Sequence, residues 1–84
     1  MKYRVELTKK ALKDIHKLRA AGLEAKARKI RNILNANPCD SISKELSRDL
    51  AGYRSIRINL QHRLVYEILE QEKIVKVLSM WSHY

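Results

Sequence analysis

The seven residues Arg63–Leu69, RLVYEIL, constrain the fold more than any other stretch, because they are apolar on both faces of an extended chain. Such a strand belongs in the middle of a sheet, with a neighbour on either side. Two candidate neighbours flank it. From Tyr53 the pattern has period two, with Ile56, Ile58 and Leu60 alternating against Ser55, Arg57 and Asn59. Ile74–Met80 gives a further run after a turn at Glu70–Lys73. The three segments read as an antiparallel meander whose first hairpin turns near Asn59–His62. A three-residue loop there sets Arg57 and Arg63 opposite one another, and a two-residue loop does not, so the sequence leaves their shared face open.

Upstream, the period lengthens. Tyr3, Val5 and Leu7 alternate with Arg4 and Glu6 as in a half-buried strand. Thr8 then offers an N-cap hydroxyl to a helix over Lys9–Ala20, where Ala11, Leu12, Ile15 and Leu18 fall at helical spacing. Gly22 ends that helix. A second one gathers Leu23, Ala27, Ile30 and Leu34 on one stripe, with Lys26, Arg28, Lys29 and Arg31 on its other faces. Asn37, Pro38 and Asp40–Ser43 form the clearest break, and KELSRDLAG (44–52) reads as one helical turn or a loop. The expected architecture is α+β in the order β-α-α-β-β-β, a two-helix hairpin packed on a small, mainly antiparallel sheet, within a single domain over residues 1–84. The one cysteine, Cys39, forms no internal disulfide and no Cys/His cluster has zinc spacing, so packing alone must hold the core. The N-terminal MKYRVELTKK does not read as a signal peptide, and no stretch approaches the roughly 20 apolar residues of a membrane span. The expectation is a soluble, cytoplasmic protein.

Charge points to an anionic partner. The formal net charge is +9, and residues 1–36 carry eleven Lys and Arg against only Glu6, Asp14 and Glu24, whereas residues 37–84 carry seven against six acids. A basic first half of this kind favours nucleic acid. The familiar enzyme signatures GxGxxG, P-loop, HExxH and GxSxG do not occur, Gly22 and Gly52 are the only glycines, and the carboxylates are scattered. Neither a metal nor another cofactor is expected. RNA cleavage without them needs a base for the ribose 2′-hydroxyl, cations for the phosphorane and an acid for the leaving 5′-oxygen. The second half of the chain holds suitable groups in Lys44, Glu45, Arg48, Arg54, Arg57, Arg63, His83 and Tyr84. Arg63 opens an otherwise apolar strand, and a charge there calls for an anionic partner from the protein or from a ligand. Tyr53 can stack on a base or join the core. His16 reads as a packing or surface residue, His62 as an exposed turn residue, and Trp81 as apolar bulk beneath any site.

GYRSIRINLQHRLVYEI (52–68), followed by a terminal His83-Tyr84, resembles the RelE/ParE toxin superfamily, and within it the YoeB/Txe type, over essentially the whole chain. The resemblance implies a ribosome-dependent mRNA endonuclease inhibited by an acidic, partly disordered antitoxin, with the ribosome and mRNA as further partners and a homodimer as one assembly. By position, Arg63 corresponds to the family's catalytic arginine, His83 and Tyr84 to its terminal phosphate-positioning and proton-transferring pair, and Arg57 to a further basic residue. The family's glutamate base, counted back from Gly52, falls on Lys44, with Glu45 one residue later. We assign Glu45 as base through a one-residue shift; Lys44 is the alternative, since neighbouring cations help a lysine shed its proton. Lys44, Arg48, Arg57 and Tyr53 are expected to bind substrate. If the last strand stays extended, His83 and Tyr84 point to opposite faces, so joint use on one phosphate demands a bend near Ser82. Two other readings stand beside this one: a ParE-like toxin that inhibits DNA gyrase by binding, and a noncatalytic nucleic-acid-binding module.

Overall fold

A computed structural model of the protein describes residues 2–82, Ser82 by its backbone alone. Its elements are β1 (Arg4–Leu7), α1 (Lys9–Ala20), α2 (Glu24–Ala36), β2 (Ser43–Glu45), a 3-10 turn (Arg48–Leu50), β3 (Arg54–Arg57), β4 (Arg63–Leu69) and β5 (Ile74–Ser82). The five strands form one sheet in the order β1-β5-β4-β3-β2. β1 runs parallel to β5, and the other neighbours are antiparallel. RLVYEIL therefore occupies the centre, as its two apolar faces require.

The helical hairpin is built by local signals. Thr8 caps α1, its Oγ1 accepting from Ala11 N–H at 3.2 Å. At the other end Gly22 takes φ +74°, Gly22 N–H donates to Arg19 O and Leu23 N–H to Leu18 O, a left-handed stop that glycine enters without strain. Both helices bury their stripes against the sheet: Ala11, Leu18, Ile30 and Leu34 meet Ile56, Leu64, Tyr66, Val75, Val77 and Met80 in one core. Burying each large aliphatic side chain there contributes about 1.5–3 kcal/mol, which is how so short a chain holds together without staples.

The end of β5 is held differently. β1 stops pairing at Leu7 opposite Val77, which leaves the edge of β5 beyond that point without a strand. Side chains of α1 and its cap take over: the Thr8 hydroxyl donates to Leu78 O at 3.0 Å, and the buried carboxylate of Asp14 accepts from Met80 N–H at 3.0 Å. On the other side, Val65 lies opposite Ser79 but Tyr66 opposite Val77, so β5 bulges between Val77 and Ser79.

Several sequence expectations change. KELSRDLAG does hold one helical turn, the 3-10 turn Arg48–Leu50, but its first two residues belong with Ser43 to edge strand β2, and the sheet gains a fifth strand. The alternation expected through Leu60 breaks because β3 ends at Arg57. Leu60 sits at the hairpin tip, 92% exposed, while Ser55 is buried. Tyr3 precedes β1 rather than opening it; its ring packs on the core and its hydroxyl donates to Glu70.

Candidate functional site

Register builds the site. Ile58 N–H donates to His62 O at 2.9 Å, closing a three-residue loop, and Asn59 Oδ1 accepts from the N–H groups of Gln61 and His62. With that loop, Arg57 stands directly opposite Arg63. Two residues further along the strands, Ser55 faces Val65, and Lys44 of β2 faces Ser55. Side chains alternate along a strand, so Lys44, Ser55, Arg57, Arg63 and Val65 share one face, and Ser43, Glu45, Arg54, Ile56, Leu64 and Tyr66 share the other. The second face is the one the helices cover: Ile56, Leu64 and Tyr66 belong to the helix-packed core, whereas Val65, also buried, does not.

This separates the two candidate bases. Lys44 projects from the arginine face, and Glu45 from the opposite one. Glu45 is 81% exposed and pairs with Arg54, its Oε1 lying 3.2 Å from Nη1. Lys44 and Arg57 are exposed and Arg63 half-buried. None of the three makes an ion pair or side-chain hydrogen bond among the described residues. Cations directly opposite on a sheet repel, so an anion bound there would gain from relieving that repulsion. Tyr53, just before β3, is in phase with Ser55 and Arg57. Arg48 lies in the connection from β2 to β3 at φ +59°, a left-handed conformation that costs a non-glycine residue about 1 kcal/mol. His83 and Tyr84, and the bend expected between them and Ser82, lie outside the described residues. Within those residues, Ser82 pairs with Arg63.

His62 corrects its expectation. It is buried rather than exposed, because it closes the hairpin ladder opposite Ile58 and stacks on Trp81 with ring centroids 3.6 Å apart. Trp81 packs on the core, as its bulk suggests.

Behind Lys44 runs a polar chain that sequence reasoning missed. Arg54 Nε donates to Ser43 Oγ at 2.8 Å, Ser43 Oγ in turn bonds the Tyr66 hydroxyl, and Tyr66 donates to Pro38 O. Burial pushes the Tyr66 hydroxyl's pKa up, with its bond to Ser43 and the nearby Arg54 guanidinium pulling the other way. The sequence did carry a signal: Arg54 is in phase with Ile56 rather than with Arg57, so it must turn toward the core and find partners there. Asp14 was also missed, although Ala11, Asp14, Ile15 and Leu18 fall on one helical stripe.

Residues 5–83 match the family model described as the ParE toxin of the type II toxin-antitoxin system parDE. The chain belongs to that toxin family. Within the wider RelE/ParE superfamily it is a toxin of the YoeB type, and solved structures agree. The toxin is 32% identical to a chain of the RelBE2 toxin-antitoxin complex from Mycobacterium tuberculosis, over the full length of both, with a TM-score of 0.79. It is 25% identical to the YoeB dimer from Staphylococcus aureus, again over both full chains, with a TM-score of 0.83. The YoeB/ParE toxin from Agrobacterium tumefaciens shares the fold at a TM-score of 0.86 and 24% identity, covering 96% of this toxin and 99% of that chain. No curated protein matches the toxin.

Proposed function

We propose that this toxin is an endoribonuclease that cleaves mRNA in the ribosomal A site and so arrests translation in the cytoplasm. One observation carries the reading: Lys44, Arg57 and Arg63 share a sheet face and hold no carboxylate among the described residues. Two facing arginines with a lysine on the same face, none of them paired among the described residues, suit a phosphodiester whose charge grows toward a phosphorane. In the proposed reaction Lys44, acting as the neutral amine, takes the proton of the ribose 2′-hydroxyl, and O2′ forms a bond to phosphorus. Arg57 and Arg63 hold the non-bridging oxygens as the P–O5′ bond breaks, and O5′ leaves with a proton. The products are a 2′,3′-cyclic phosphate and a 5′-hydroxyl. His83, whose imidazole type exchanges protons near neutrality, is proposed to supply that last proton, and Tyr84 to bind the scissile nucleotide. Tyr53 and Arg48 bind flanking nucleotides. Lys44 replaces Glu45 as the proposed base on register alone.

The surplus of cations in residues 1–36 gives the helices a separate task, holding ribosomal RNA. The same charge suits an acidic antitoxin. Solved relatives support such a partner and a dimer: the S. aureus YoeB-YefM complex, the M. tuberculosis RelBE2 complex and the S. aureus YoeB dimer. Among the described residues no helix is long and apolar enough to cross a membrane.

The ParE description of the matching family favours a second reading, inhibition of DNA gyrase by binding. Primer extension on mRNA from a translation reaction charged with the toxin separates the two. Cuts within A-site codons support the endonuclease; intact transcripts together with gyrase-linked DNA breaks overturn it.

A further inference from the structure

Lys44 is the middle residue of a three-residue edge strand that pairs with β3 alone. Short edge strands specify their register weakly, and a slip of one residue would turn Lys44 to the helix side and bring a neighbour into its place. Something must fix its direction. The residues on either side of it, Ser43 and Glu45, both point to the helix-side face, and one guanidinium there holds both. Arg54 donates through Nε to Ser43 Oγ at 2.8 Å, reaches Ser43 O from Nη2 at 3.5 Å, and donates through Nη1 to Glu45 Oε1 at 3.2 Å. Arg54 also lies directly opposite Glu45 in the β2–β3 ladder.

The grip is anchored on its buried side. The side chain of Arg54 is 18% exposed, and Ser43 and Tyr66 are buried. Because Ser43 Oγ receives the Arg54 proton, its own hydroxyl hydrogen is free to go to Tyr66, which passes its hydrogen to Pro38 O. The donors run in one direction from Arg54 to the connection that precedes β2, and in a low-dielectric setting such a chain is stiffer than its separate bonds. The Glu45 end is largely in water and adds less.

From this geometry we propose that Arg54 is a positioning residue for the proposed cleavage: by clamping Ser43 and Glu45 from behind, it aims Lys44 at the face that carries Arg57 and Arg63. The inference rests on Lys44 acting there, as argued above. Arg54 touches neither substrate nor reacting atoms in this scheme. A misplaced reacting group costs about a hundredfold in rate for an ångström of displacement, so loss of the clamp is expected to lower the single-turnover cleavage rate roughly tenfold to a hundredfold. Binding of the ribosome complex should hold within about twofold, since the clamp contributes no cation to the site.

Two measurements test it. In a double-mutant cycle on ribosome-bound mRNA, Arg54→Ala and Ser43→Ala each slow cleavage, and neither slows it further once Lys44→Ala is present. Arg54→Lys, which cannot hold both neighbours, recovers only part of the rate. Full cleavage by Arg54→Ala, or an equal loss with and without Lys44, overturns the proposal. The second measurement needs no activity. Cross-strand NMR contacts between Lys44 and Ser55 should be present in the wild type and lost in Arg54→Ala while those between Ile56 and Leu64 persist; Lys44–Ser55 contacts retained in Arg54→Ala overturn the clamp. A wild type that cuts no mRNA sinks the endonuclease reading, and the NMR result still decides whether Arg54 aims Lys44.

Discussion

Replacing Asp14 by alanine should cost this small protein a large part of its stability. Asp14 is 2% exposed, and its Oδ2 accepts from Met80 N–H at 3.0 Å and from Lys10 Nζ at 3.0 Å. Alanine leaves the Met80 N–H without an acceptor at the point where β5 has outrun β1. A bond to a charged acceptor is worth about 1.5–3 kcal/mol, and an orphaned buried donor costs a similar amount. The Lys10 pair adds only about 0.3–0.5 kcal/mol, because that lysine is 62% exposed. Relief of the carboxylate's own desolvation offsets part of the loss. The net expectation is about 2–3 kcal/mol, which in a domain of this size lowers Tm by about 10–20 °C. Asp14→Asn retains an acceptor in Oδ1 and should lose about half as much, while Lys10→Ala should move Tm by less than about 3 °C. Thermal unfolding of the three variants, together with hydrogen exchange at the Met80 amide, checks this ranking. A loss below about 1 kcal/mol for Asp14→Ala, or a Lys10→Ala variant just as unstable, would mean that the buried backbone bond does not hold the end of β5.

Tyr66→Phe breaks the chain to Ser43 and Pro38 and should cost about 1–3 kcal/mol by denaturant unfolding. Because burial raises the Tyr66 pKa, its contribution is fully present below the unfolded value of about 10 and is lost as pH rises through the folded value; above about pH 10 the wild type should therefore lose stability more steeply than Tyr66→Phe. Glu70 has a lowered pKa, caused first by its bond to Lys73 and then by that to Tyr3, so its contribution is present above the ordinary carboxylate value of about 4.3 and fades as pH falls through the folded value. Tm measured against pH should accordingly show a wild-type advantage over Glu70→Gln that is constant near neutrality and disappears in acid. Arg48→Gly relieves the left-handed backbone and should raise stability by about 0.5–1 kcal/mol while weakening mRNA cleavage, and a variant that is both less stable and fully active would contradict both halves.

The fold was legible wherever one period dominated. The α1 bounds follow from the Thr8 cap, the Ala11–Leu18 stripe and the Gly22 stop, and the centre of the sheet follows from RLVYEIL. The short pieces were not, because a three-residue strand such as β2 has too few residues to display a period, and its strand state comes from pairing with β3. The site divides along the same line. Arg63 stood out as a charge in an apolar strand. Which of Lys44 and Glu45 shares the arginine face depends on a register that only tertiary pairing sets, and the Arg57–Arg63 pairing on a loop length fixed by the Ile58–His62 bond. His62 looked like a turn residue because nothing local announces its stack with Trp81, nineteen positions away in sequence.

The most direct test of the account compares Lys44→Ala, Glu45→Ala and Arg63→Ala in single-turnover cleavage of ribosome-bound mRNA, with thermal unfolding run alongside. The geometry predicts that Lys44→Ala and Arg63→Ala lose at least about a hundredfold in rate while keeping their fold, as removal of a proton acceptor or of a transition-state cation does. Glu45→Ala should stay within about fivefold of the wild type, since Glu45 itself is largely exposed and Arg54 still holds Ser43 without it. An inactive Glu45→Ala beside an active Lys44→Ala would contradict the account and return the base to the other face of the sheet.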